Sequence, residues 1–221
     1  MEAVLMELAE IYGSLYSIAY KNKIMNTDAY RINLVVNEVI SLYEQFGGED
    51  YIGEPVSQIE HMCQCAQLAE KEGYDTEVIL AAFFHDIGHL CEHITEVKLM
   101  DGYGVVDHEK LGAEYLRQKG FSEKIAKLVT SHVDAKRYLT CRYPEYYEQL
   151  SPASKETLVF QGGVMTEEEA TNFETDPLAD LYIRLRRWDE QAKEEQVPLP
   201  SLDHYRVLMQ QHLTEQNKTN A

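Results

Sequence analysis

The chain has 221 residues, 44% of them hydrophobic, and a formal net charge of −18. That length supports one substantial core, and no apolar run approaches the ~18 residues of a membrane-spanning helix. The acidity repels phosphate backbones and anionic lipid, which argues against nucleic acid and membrane as partners.

The start, Met1 to Glu10, is acidic where a presequence would be basic, so no targeting signal is read. Cys63, Cys65, Cys91 and Cys141 contain no CxxC pair, which suits reduced thiols in a cytoplasmic protein. Val4, Leu5, Leu8, Ile11, Tyr12, Leu15 and Ile18 follow the helical period, which predicts an amphipathic helix over residues 1–24. Asn26-Thr27-Asp28 offers N-caps for a second helix, with Ile32, Leu34, Val35, Val39, Ile40, Leu42 and Tyr43 as its apolar positions and Gly47-Gly48 as its end. A loop holds Tyr51-Ile52-Gly53-Glu54, and Pro55 suits the first turn of a helix reaching Lys71.

Gly73 and Asp75 separate that helix from an apolar one, Ile79 to Phe84, that ends at His85. Residues 92–107 read as a loop, and Asp107 as the cap of a helix from His108 to Lys119, stopped by Gly120. A helix is predicted from Ser122 to about Leu139, then a tyrosine-rich connection from Tyr143 to Pro152 and a short helix to Phe160. Thr166-Glu167-Glu168-Glu169 is a capping box for the next. A helix over Leu181–Lys193 carries Asp189, and a Pro-rich stretch from Val197 leads to a last helix ending near Glu215. Strand signals are nearly absent. The expected fold is an all-α bundle over 28–215, with a helical extension at 1–27 and a disordered tail at 216–221.

Within this frame stand His61, His85, Asp86, His108, His132 and Asp189. Consecutive side chains on a helix point ~100° apart, so His85 and Asp86 meet one metal only where the helix bends or ends. Alternatively they meet two metals, with the carboxylate as bridge. A lone histidine on an apolar face is usually a satisfied core residue, and Asp189 beside Arg186 and Arg187 has an ordinary ion pair within reach. A buried His-Asp pair without compensation is costly, however. A dinuclear centre explains the set together, and nitrogen-rich, oxygen-bridged donors suit iron, manganese or zinc better than magnesium.

The pattern His61…His85-Asp86…Asp189, with His108 and His132 between, resembles the HD-domain superfamily. Tyr51-Ile52-Gly53-Glu54, His132-Val133-Asp134-Ala135-Lys136, Leu150 to Ser154 with Gln161-Gly162-Gly163, and Arg184 to Asp189 resemble its mixed-valent diiron oxygenases that cleave organophosphonates, distant relatives of myo-inositol oxygenase. The likeness covers roughly residues 28–210. It implies two iron ions, Fe2+/Fe3+. His61, His85, Asp86 and Asp189 would hold one, and Asp86, His108 and His132 the other. It further implies Tyr51 on an open iron position until substrate arrives, and Glu54 on the substrate amine. His89, Lys136, Ser154, Thr157 and Arg186 would hold the phosphonate. The activity implied is O2-dependent cleavage of the C–P bond of a 1-hydroxy-2-aminoethylphosphonate or its N-trimethyl analogue, giving phosphate and glycine or glycine betaine, by a monomer or homodimer.

Two features support these roles without the likeness. Lys136 is four residues after His132 and Arg186 three before Asp189, so each cation shares a helix face with a candidate ligand. The alternative is an HD phosphohydrolase whose metals activate water against a phosphate ester. Tyr51 discriminates, since a phenol on an open metal position would obstruct a hydrolase.

Overall fold

The computed structural model describes residues 27–51, 53–102 and 104–219, and among them every regular element is helical. The predicted helix over 1–24 lies outside the described residues. Helix α1 covers 27–46, so Thr27 and Asp28 are already helical rather than caps. Its face of Ile32, Val36, Val39, Ile40 and Tyr43 is buried, while Leu34, expected on that face, is half exposed.

Helix α2, Gln58–Lys71, starts three residues later than predicted, because Ser57 and Glu60 form a reciprocal capping box. Helix α3, Thr76–Phe84, is capped by the Asp75 side chain. His85 keeps helical angles, but Asp86 at φ −107°, ψ 11° does not, and a new short helix α4, Ile87–Leu90, begins after it. The chain therefore bends between the two adjacent candidate ligands, the geometry that lets both face one metal. A 3-10 turn, Cys91–His93, opens the following loop.

Helix α5 spans His108–Gln118 and α6 spans Glu123–Arg142. Asp107 does not cap α5 as predicted. It sits in the left-handed region at φ 55°, and its carboxylate takes Lys110 instead. The tyrosine-rich connection contains a helix, α7, Pro144–Gln149, started by its proline at N1. Then come α8, Pro152–Phe160, α9, Glu167–Glu174 on its predicted capping box, α10, Ala179–Gln191, and α11, Leu202–Thr219. Residues 216–219 thus extend the last helix where a disordered tail was expected.

Helix α6 packs against α3, α5 and α10, and α2 packs against α3 and α10. Phe83 anchors the core, stacked between Tyr43 and Tyr205 at centroid distances of 4.3 and 3.9 Å. Both phenols are satisfied by backbone carbonyls, of Phe83 and Cys63. Gly88 brings α4 onto α5: a Cβ there would lie 1.9 Å from the His108 carbonyl oxygen. This glycine of the Asp86-Ile87-Gly88-His89 stretch is a packing requirement of the site.

Candidate metal centre and adjoining cavity

The six expected ligands converge although they come from α2, the α3–α4 bend, α5, α6 and α10. All are buried, none more than 3% exposed. His61, His85 and Asp189 form one group of donor atoms, and Asp86, His108 and His132 a second. Asp86 faces both. Its Oδ2 is 3.4 Å from Nε2 of His61 and of His85, and its Oδ1 is 3.3 Å from Nε2 of His108 and of His132. Asp189 Oδ1 completes the first group, 3.4 Å from His61 Nε2.

The backbone sets the imidazole tautomers. Nδ1 of His61, His85, His108 and His132 lies 2.7–3.3 Å from the carbonyls of Ala192, Ala82, Val105 and Val129. A carbonyl only accepts, so each Nδ1 carries hydrogen and each Nε2 turns inward. Those inward nitrogens then face each other at 2.9 Å, His61 to His85, and at 3.0 Å, His108 to His132. Two lone pairs that close require a cation between them, a proton or a metal. Protons alone leave Asp189 Oδ1 buried and without a hydrogen-bond partner. A metal uses every inward atom, and donors ~2.1 Å from one ion at right angles are ~3.0 Å apart. The donor set fits two ions bridged by Asp86. Burial would raise both carboxyls, but His85, His108, His132 and His61 outweigh it at Asp86. Arg186 and His61 do so at Asp189, and both stay well below the ordinary carboxylate range.

A cavity opens on the second group. Tyr51, Glu54, His89, Lys136, Ser154, Thr157 and Arg186, all expected at the site, line it together with Gln58 and Gln161. The Tyr51 ring stacks on His61, centroids 4.0 Å apart. Burial, then the charges of Asp86 and Asp189, hold its phenol well above its usual value; a cation between those groups removes that pressure. His89 stacks on His108 at 4.1 Å and accepts the Val105 N–H at Nδ1, so its Nε2 carries the proton. Burial, with His108 adjacent, lowers it to about 3, which makes it a neutral donor. Gly104, at φ +92°, admits this ring; a Cβ there would sit 2.5 Å from it.

Lys136 is 3% exposed. Its Nζ donates to Thr157 Oγ1 at 2.9 Å, and among the described residues no carboxylate pairs with it. Burial, then the nearby Arg186, brings its ammonium down to about 7. Arg186 is more committed than the sequence suggests: Nη1 holds Asp189 Oδ2 and Nε donates to Tyr146 and Glu190. Nη2 lies 3.1 Å from Glu190 Oε1 without an aligned hydrogen bond. Asp189 therefore pairs with arginine through one oxygen and faces the His61 and His85 donors with the other.

Ser151, not Ser154 or Thr157, caps α8, and the latter two face the cavity. Tyr138 lies away from the cavity, stacked on Phe173 with its hydroxyl on Glu174. Sequence reasoning missed Gln58, three residues before His61 on the same helix, and Lys193, four after Asp189. Lys193 Nζ sits 2.5 Å from Glu54 Oε1, which also accepts the Ser151 hydroxyl at 2.7 Å.

An all-helical bundle gathering His and Asp donors at a bend defines a metal-binding HD domain, and the HD domain family model matches residues 59–160. The chain is 46% identical to an uncharacterised protein of Acanthamoeba polyphaga mimivirus, over 89% of its own length and 90% of the relative's. It is 39% identical to the 1-hydroxy-2-(trimethylamino)ethylphosphonate dioxygenase (glycine-betaine-forming) of Leisingera caerulea, over 80% and 89%. Identity to the hydroxymethylphosphonate dioxygenase of Gimesia maris is 36%, over 76% and 84%. The chain belongs to the HD-domain oxygenase family, in the branch of the phosphonate dioxygenases. No helix among the described residues is long and apolar enough to cross a membrane.

Proposed function

We propose that this protein is an O2-dependent diiron oxygenase that cleaves the carbon–phosphorus bond of a 1-hydroxyalkylphosphonate. The observation that carries the reading is Lys136, a buried ammonium without a carboxylate partner, beside a double His/Asp donor set. In a chain of net charge −18, such a cation stands ready for an anion that the metal groups also face. Two relatives are named for phosphonates that share the 1-hydroxyl.

His61, His85, Asp86 and Asp189 would hold one iron, and Asp86, His108 and His132 the other. The iron pair supplies O2 activation and the redox capacity to oxidise the hydroxyl-bearing carbon. The remaining residues bind and orient. Lys136, steadied by Thr157, supplies the point charge to the phosphonate. Arg186 Nη2 and His89 Nε2–H add a charged and a neutral donor, and Ser154 a hydroxyl. Tyr51, stacked on His61, covers the centre until substrate enters, which excludes water and idle oxygen. The overall reaction takes the 1-hydroxyalkylphosphonate and one O2 to a carboxylic acid and phosphate, with one oxygen atom entering each product.

The test is O2 uptake and phosphate release by one ferrous-iron-loaded preparation given a 1-hydroxyalkylphosphonate. Matched oxygen loss and phosphate release support the oxygenase. Phosphate release from esters with no oxygen consumed would replace it with a hydrolase.

A further inference from the structure

Glu54 lines the cavity and carries the only carboxylate placed to receive a cationic substituent among the cavity-lining residues outside the metal donors. That carboxylate is already occupied. Lys193 Nζ is 2.5 Å from Oε1, and the Ser151 hydroxyl takes the same oxygen. The pair is largely sheltered, with side chains 17% and 10% exposed, so its charges are poorly screened. Lys193 also approaches the Tyr51 ring, 5.9 Å from its centroid. It enters from the segment after α10, whose Ala192 carbonyl orients His61. Its position is thus tied to the metal centre on one side and to the loop of Tyr51 and Glu54 on the other.

We propose that Lys193 is a specificity-determining residue: it fills the cation subsite of Glu54, so the preferred substrate is a 1-hydroxyalkylphosphonate without a positively charged substituent. This rests on the phosphonate-oxygenase reading above and narrows its substrate class. A substrate ammonium reaching Glu54 meets an ammonium already there. It must displace Lys193 from that carboxylate and add its own charge to a cavity that already holds Lys136 and Arg186. An uncharged or hydrogen-only substituent carries no such penalty, and Lys193 then neutralises the Glu54 carboxylate, which Ser151 also holds.

The experiment compares hydroxymethylphosphonate with 1-hydroxy-2-aminoethylphosphonate and its N-trimethyl analogue on the full-length iron-loaded protein. Both kcat/KM in air and Kd by calorimetry without oxygen are measured. With hydroxymethylphosphonate the products are formate and phosphate: the C–P bond breaks, carbon loses four electrons and O2 gains four. The unaltered protein is expected to favour hydroxymethylphosphonate by at least about tenfold. Lys193→Met frees the Glu54 carboxylate and shifts the ratio at least about tenfold toward the cationic substrates, while Lys193→Arg, which keeps the charge, retains the original order. A merely structural lysine would lower activity on all three substrates alike. Preference of the unaltered protein for a cationic substrate overturns the proposal, as does a ratio unmoved by Lys193→Met. Absence of turnover on all three refutes the oxygenase reading instead, and the oxygen-free binding order then decides the role of Lys193 by itself.

Discussion

Replacing Gly88 with alanine tests whether the close approach of α4 and α5 builds the metal centre. The new Cβ would lie 1.9 Å from the His108 carbonyl oxygen and 2.6 Å from its carbon, both backbone atoms. Ordinary contact begins near 3.4 Å, so the start of α5 must retreat by about 1.5 Å. Overpacking on this scale costs about 3 kcal/mol. In a chain of this size that lowers Tm by roughly 6–12 °C. The same retreat carries His108 away from Asp86, whereas metal–ligand distances tolerate only about 0.2 Å. Gly88→Ala should therefore lower both the melting temperature and the metal content, followed by calorimetric melting and elemental analysis. Gly48→Ala is the control, because a Cβ there meets nothing within 4 Å. Gly88→Ala with an unchanged melting point and full metal content would refute the packing argument.

His132→Ala should remove one metal of about two per chain and leave the group of His61, His85 and Asp189 loaded, whereas Asp86→Asn should cost both. Elemental analysis after iron loading distinguishes the variants, and equal losses in the two would contradict separate groups sharing one carboxylate. Lys136 titrates near 7 when folded against the ordinary lysine value of 10.5. Between those values the unfolded chain binds more protons, so stability of the ligand-free protein rises with pH across that window. A phosphonate dianion beside Lys136 reverses the depression, and binding at pH 8 should take up a proton. Calorimetry in two buffers of different ionisation enthalpy checks this, and identical heats would count against it.

The helices and the donor set were legible because their signals are local or chemical. Apolar spacing marked α1, an apolar run α3 and a capping box α9, and a bend, one of the two ways for His85 and Asp86 to serve metal, is supplied by the backbone at Asp86. Helix α7 was hidden in a polar, tyrosine-rich stretch with no apolar period. The later start of α2 followed from Ser57 and Glu60, a capping box overlooked in favour of Pro55. Asp107 was misassigned because a left-handed backbone turns its carboxylate from the helix end toward Lys110. At the site, spacing from a ligand found Lys136 and Arg186, and the same rule applied to Asp189 and His61 leads to Lys193 and Gln58. What spacing could not reveal is commitment. Arg186 is largely spoken for by Asp189, Tyr146 and Glu190, and Glu54 by Lys193, through contacts between residues 40 to 139 positions apart or one helical turn away.

The two donor groups are completed at different points along the chain. Asp86, His108 and His132 fall within three successive helical segments, whereas the group of His61 and His85 waits for Asp189 on α10. The chain through α6 contains every residue of one donor group, including the carboxylate that faces both. The other site closes only when α10 packs against α2 and α6. That final docking brings in Asp189 and Arg186 and, just beyond the helix, Lys193. Placement of Asp189, of the Arg186 guanidinium and of Lys193 against Glu54 thus depends on one packing step, which on the proposed reading would couple metal loading to completion of the pocket.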